Sequence, residues 1–120
     1  MNEHQFKART KQLALRVIRL VEVLPQTRTA DVISKQLLRS ATSVAANYRA
    51  ATEVAKSAAD LIAKLAIVEE EADETLYWLE LLVESGLMTA DKLKSLMQES
   101  TEILAMTVAS IKTLKEKHKK

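Results

Sequence analysis

The stretch from residue 61 to residue 83 reads LIAKLAIVEEEADETLYWLELLV. Leu61, Leu65, Val68, Ala72, Leu76, Leu79 and Val83 recur at steps of 4, 3, 4, 4, 3 and 4. Such spacing gathers them on one face of an α-helix, and the two-residue alternation of a strand cannot produce it. Downstream, Gly86 is placed to end the helix in the left-handed conformation that costs glycine nothing extra. Upstream, Ser57 followed by Asp60 has the shape of a capping box, so the helix is predicted over about 58–85. The alternative at this boundary is a single long helix running through residues 52–57. Thr52, Val54 and Ser57 are weak helix formers and weigh against it.

Three more segments carry the same period. Phe6, Leu13, Val17, Leu20, Val21 and Leu24 mark a first helix over about 6–24, which Pro25 ends by its fixed φ and missing N–H. Thr27 or Thr29 can cap a second helix over about 30–51. Its inward stripe is Ile33, Leu37, Ser40 or Ala41, Val44 and Tyr48, flanked by small residues that let a neighbouring backbone come close. Thr89 and Asp91 open a fourth helix over about 90–115, with Leu93, Leu96, Met97, Leu104, Val108, Ile111 and Leu114 as its apolar side. Four amphipathic helices with short connections predict an all-α, up-and-down antiparallel four-helix bundle formed by one domain spanning residues 1–120.

Composition agrees with that reading. Hydrophobic residues make up 48% of the 120-residue chain but aromatic residues only 3%, so the core must be aliphatic. One glycine and one proline leave little material for the turns of a β-sandwich or barrel. The absence of cysteine excludes disulfides, thiolate metal sites and cysteine nucleophiles. The polar start Met1–Gln5 has no signal-peptide apolar segment behind it, and no apolar run approaches the roughly 20 residues of a membrane span. A soluble, cytoplasmic protein is the expectation.

Catalytic parts are scarce. The two histidines, His4 and His118, lie near the termini; Glu-x-x-His spacing, Gly-rich phosphate loops and His-Glu-x-x-His are all missing. The expectation is a non-enzyme with no cofactor and no metal. Charge, by contrast, is unevenly placed. Residues 1–60 hold ten Lys and Arg against five Asp and Glu, whereas residues 61–120 hold eight against eleven. Arg9, Lys11, Arg16, Arg19, Arg39 and Arg49 are therefore candidate nucleic-acid contacts, since phosphate attraction needs only accessible positive charge. Glu69-Glu70-Glu71, followed by Asp73 and Glu74, is the densest acidic feature and reads either as a solvated face or as a dock for a basic protein partner. Because Tyr77 and Trp78 are adjacent, one of them must leave the core and sit at a flank.

The stretches 36–49 (QLLRSATSVAANYR) and 62–79 (IAKLAIVEEEADETLYWL) resemble the four-helix-bundle protein family of bacterial 23S rRNA intervening sequences. Members include a relative, the accessory protein of diversity-generating retroelements. The likeness spans Phe6 to about Leu114. It implies an up-and-down bundle, assembly into a homopentamer, and RNA or DNA as a partner. It also marks Gln36, Arg39, Ser43, Asn47, Lys64, Glu71, Glu74 and Trp78 as structural or subunit-facing positions and lends Arg49 to a polyanion. The chain departs from the pattern at Ala50 and Ala51, where an acidic residue is common. It departs again at Leu61, where an aromatic often follows the Asp. In Thr52–Ala59, Lys56 is the single basic residue.

Overall fold

The computed structural model describes residues 1–119. Four helices follow one another: α1 (Glu3–Glu22), α2 (Arg28–Val54), α3 (Ala58–Glu84) and α4 (Ala90–Lys117). Each packs on its chain neighbours, and α4 closes the ring against α1 by the thinnest seam. The result is an up-and-down four-helix bundle of 51 × 22 × 21 Å. A 27-residue helix is about 40 Å long at the usual rise, so the helices account for most of the long axis.

Local chemistry explains the helix ends. Asn2 caps α1: its side chain accepts from the Gln5 amide at 2.8 Å, and the Gln5 side chain accepts from the Asn2 amide at 3.0 Å. This reciprocal pair starts the helix three residues before Phe6 and satisfies two end groups. Thr27, not Thr29, caps α2, accepting from the Ala30 amide at 3.2 Å. Ser57 caps α3 by accepting from the Asp60 amide, while the Asp60 carboxylate turns back to the Lys56 amide, both at 3.0 Å. The chain therefore breaks at Ala55–Ser57, and α2 and α3 are separate helices. Gly86 takes φ +81°, the left-handed turn after α3. Thr89 sits at the N-cap of α4 but makes no side-chain capping bond.

The core is aliphatic, running through Leu13, Val17, Leu37, Val44, Val68, Leu79, Leu93 and Ile103. Two stripes lie in a different register from the one that apolar spacing predicts. On α3, Thr75 and Leu82 are buried, whereas Leu76 and Val83 move to the flank. On α4, the buried set is Leu93, Leu96, Ser100, Ile103, Thr107 and Ile111, and Val108 is 44% exposed. In both, hydroxyl side chains take inward positions that apolar spacing passes over. Ser100 donates to the Leu96 carbonyl at 3.0 Å and Thr107 to the Ile103 carbonyl at 2.7 Å, so each enters the core with its polar group satisfied. Thr75 Oγ1 lies 2.9 Å from Ser40 Oγ and 2.8 Å from the Glu71 carbonyl, at the middle of the α2–α3 seam. Small side chains at Ser40 and Ala41 let the two helices meet closely there.

Phe6 and Tyr48 close one end of the core edge-to-face, with ring centroids 4.7 Å apart. Burial, with a smaller contribution from Glu3, pushes the Tyr48 phenol above its usual range. Leu79→Ala empties a fully buried site and is expected to cost about 2–5 kcal/mol in urea unfolding, while Val108→Ala should cost less than about 1 kcal/mol. Equal losses at the two positions would contradict this α4 register.

Candidate binding surfaces and the family of the chain

The six candidate cations do not form one surface. Arg9 turns toward α4, where Nε donates to Glu99 Oε2 at 2.8 Å and Nη2 donates to Glu102 Oε1 at 2.9 Å. Its side chain is 24% exposed, and the hydrogen bond to Glu99 is the chief reason its guanidinium is held even more firmly protonated than usual. Arg16 points into the same seam and donates to Ser95 Oγ at 3.0 Å. Arg39 reaches across the α2–α3 seam to Glu71, at 2.8 Å, and to Glu74. Arg49 meets Glu53 at 3.3 Å, and Glu53 also receives Lys7 at 3.1 Å. Hydrogen bonding to Lys7 holds the Glu53 carboxyl below its usual range. Lys11 and Arg19 are exposed and make no ion pair among the described residues.

The positions marked as structural or subunit-facing lie on the α2 and α3 flanks, all half-buried except Arg39, which is exposed. Asn47 Nδ2 donates to both the carbonyl and the hydroxyl of Ser43, at 2.9 and 2.8 Å. Lys64 Nζ donates to Asp60 Oδ1 at 2.7 Å, one turn back on the same helix. Trp78 Nε1 donates to Glu74 Oε1 at 3.3 Å, so Glu74 joins Arg39 to the indole. Hydrogen bonding to Arg39, ahead of that to Trp78, holds the Glu74 carboxyl below its usual range. Gln36 makes no side-chain hydrogen bond among the described residues. Of the adjacent aromatics, Trp78 lies half-buried against the core while Tyr77 is 51% exposed.

Two surfaces escape any reading of the sequence alone. One is the groove of about 640 Å³ between α1 and α2, floored by Ala8, Ala45 and Ala46 and rimmed by Lys7, Lys11 and Arg49. Its signal, small residues on two helices, acquires meaning only when the helices are set side by side. The other is the outer part of α4, where Lys112 and Lys115 stand beside exposed Val108. At the bundle end, an open hollow of about 870 Å³ lies between Phe6, Tyr48, Leu61 and Leu114. Among the described residues no three His, Asp or Glu side chains gather to hold a metal ion, and no helix is long and apolar enough to cross a membrane.

The 23S rRNA-intervening sequence protein family matches residues 2–109. The chain belongs to that family. A solved relative is a protein of unknown function from the S23 ribosomal protein family of Bacteroides thetaiotaomicron VPI-5482. It is 40% identical, with a TM-score of 0.85 over 93% of this chain and 99% of its own. No curated protein matches the chain. The family match embraces the Arg39–Glu71–Glu74–Trp78 cluster and both stretches, 36–49 and 62–79.

That cluster has a pH signature. The depressed folded-state value of Glu74 means its pairing contributes stability above the ordinary carboxylate value of 4.5, and that contribution is lost as pH falls through the folded value. As pH falls below the ordinary carboxylate value of 4.5, the wild-type protein should lose more stability than Glu74→Gln, measured by urea midpoints along an acid series. Parallel curves for the two proteins would show that the pairing contributes nothing.

Proposed function

We propose that the protein is a non-enzymatic, oligomeric binding scaffold that attracts a nucleic acid or ribonucleoprotein through its free cations. The segregation of charge by helix carries this reading. α3 bears eight carboxylates and a single lysine, whereas α1, across the diagonal of the bundle, bears five cations and two carboxylates. A subunit with opposed faces gains both self-association and long-range attraction for a polyanion. Repetition in a ring, for which the family resemblance suggests five copies, would place several weak phosphate contacts on one body and raise avidity. The same resemblance extends the reading to the accessory protein of diversity-generating retroelements.

The cations available to phosphates overlap only in part with those that charge counting selects. Arg9 and Arg39 each hold two carboxylates within the fold, so their charge is largely neutralised. Arg19 on α1 and, toward the other end of the bundle, Lys112 and Lys115 on α4 stand without an ion-pair partner among the described residues and offer separate open cations. A second reading has α3 docking a basic protein. Exposed Glu70 and Asp73 beside exposed Tyr77 favour it, since none of these carboxylates is paired among the described residues.

Light scattering at micromolar concentration should give about five times the 13.4 kDa of the chain; a mass of one chain would end the assembly reading. Fluorescence anisotropy with single-stranded RNA and DNA should show binding that weakens as salt rises. Reversing Arg19, Lys112 and Lys115 to glutamate together should weaken it about tenfold or more, and Arg39→Gln should leave it unchanged. No anisotropy change at low salt would remove the nucleic-acid reading.

A further inference from the structure

The α1–α2 groove and the outer face of α3 have matching dimensions and opposite charge. Along α3, Glu70, Asp73, Tyr77 and Glu80 are spaced by 3, 4 and 3 residues, which lines them up on one face over about 15 Å. Tyr77 stands between the carboxylates, half-exposed, with its ring edge-on to Trp78 at 5.2 Å. The groove runs beside α2 from Thr42 to Glu53, about 16 Å at the same rise. Alanines floor it, leaving room for a flat ring, and Lys7, Lys11 and Arg49 stand on the rim against one carboxylate, Glu53.

We propose that the α1–α2 groove receives the Tyr77 face of α3 from a second copy of this chain. The proposal rests on the assembly reading above and names the partner of the acidic face. A monomer cannot bring its own α3 to this groove, because the groove lies between α2 and α1, whereas α3 packs on the other side of α2, by way of Arg39, Glu71 and Glu74. The contact is therefore head-to-tail: each copy offers a groove to one neighbour and a ridge to another, which closes as a ring or continues as a filament. Charge sets direction, since groove against groove and ridge against ridge both repel. The aromatic ring supplies the desolvated anchor that exposed ion pairs alone do not. Arg19 and the lysines of α4 lie outside the contact, so assembly leaves them free for phosphates.

Two variants test this, both altered at exposed positions, with circular dichroism melting to establish that each folds. The ridge variant carries Asp73→Lys with Tyr77→Ala; the groove variant carries Lys11→Glu with Ala46→Glu. Each alone should fall to the 13.4 kDa of one chain in light scattering. Mixed in equal amounts they should give a particle of twice that mass, because the ridge variant keeps a groove and the groove variant keeps a ridge. An assembled wild type with both variants still at wild-type mass would overturn this interface and leave the assembly reading standing. A monomeric wild type would overturn both, whereas two monomeric variants that fail to pair would overturn the interface alone.

Discussion

The distance between α2 and α3 is set at the point where Ser40 meets Thr75. Their hydroxyls lie 2.9 Å apart in the buried seam, and each also has a backbone carbonyl of its own helix within reach. A larger side chain at either position would wedge the helices apart, and an unpaired hydroxyl there would carry a desolvation penalty. With the helices this close, Arg39 on one spans to Glu71 and Glu74 on the other, and the indole of Trp78 closes over the pair by hydrogen bonding to Glu74. The aliphatic rows on either side then bury completely at Leu37, Val44, Val68 and Leu79. Hydrophobic burial supplies most of the driving force, and the polar seam selects a single register for it.

The other seams are organised differently. α1 meets α4 thinly, and three polar spans do the bridging: Arg9 to Glu99, Arg9 to Glu102 and Arg16 to Ser95. Half-exposed charge pairs of this kind contribute modestly to stability, yet they fix which residues of α4 lie opposite α1. That allocation has a functional side. A guanidinium shared between two carboxylates presents little net field to an approaching phosphate. The open cations are therefore those for which the fold supplies no acid, a property of tertiary neighbours rather than of composition.

Much of the architecture is legible in the sequence because helical spacing, Pro25, Gly86 and the Ser57–Asp60 pair are local signals. The Asn2–Gln5 box is local too, but a polar start ahead of Phe6 conceals it unless the spacing of a cap and its partner is sought. The α4 register is harder. Apolar counting prefers Leu104 and Val108, and only packing shows that Ser100 and Thr107, with their hydroxyls turned onto the backbone, fill the core alongside Ile103. Surface chemistry is the least legible of all. Arg9 and Glu99 are separated by ninety residues in sequence, so no inspection of either neighbourhood shows that they meet.

Placing the acid on α3 and the base on α1 has a consequence that neither helix shows alone. In an up-and-down bundle these two helices occupy opposite corners, so their charges cannot neutralise each other within one chain. The field of each face extends into solvent until another molecule meets it, over about a Debye length at physiological salt. Groups that face a neighbouring helix are absorbed into pairs, as Glu71 and Glu74 are by Arg39 and Glu99 and Glu102 by Arg9, which leaves Glu70 and Asp73 on α3 and Lys11 and Arg19 on α1 open among the described residues. Helix order therefore decides that this composition, close to neutral overall, is divided at the surface. A surface divided in this way favours directed contacts over indiscriminate adhesion.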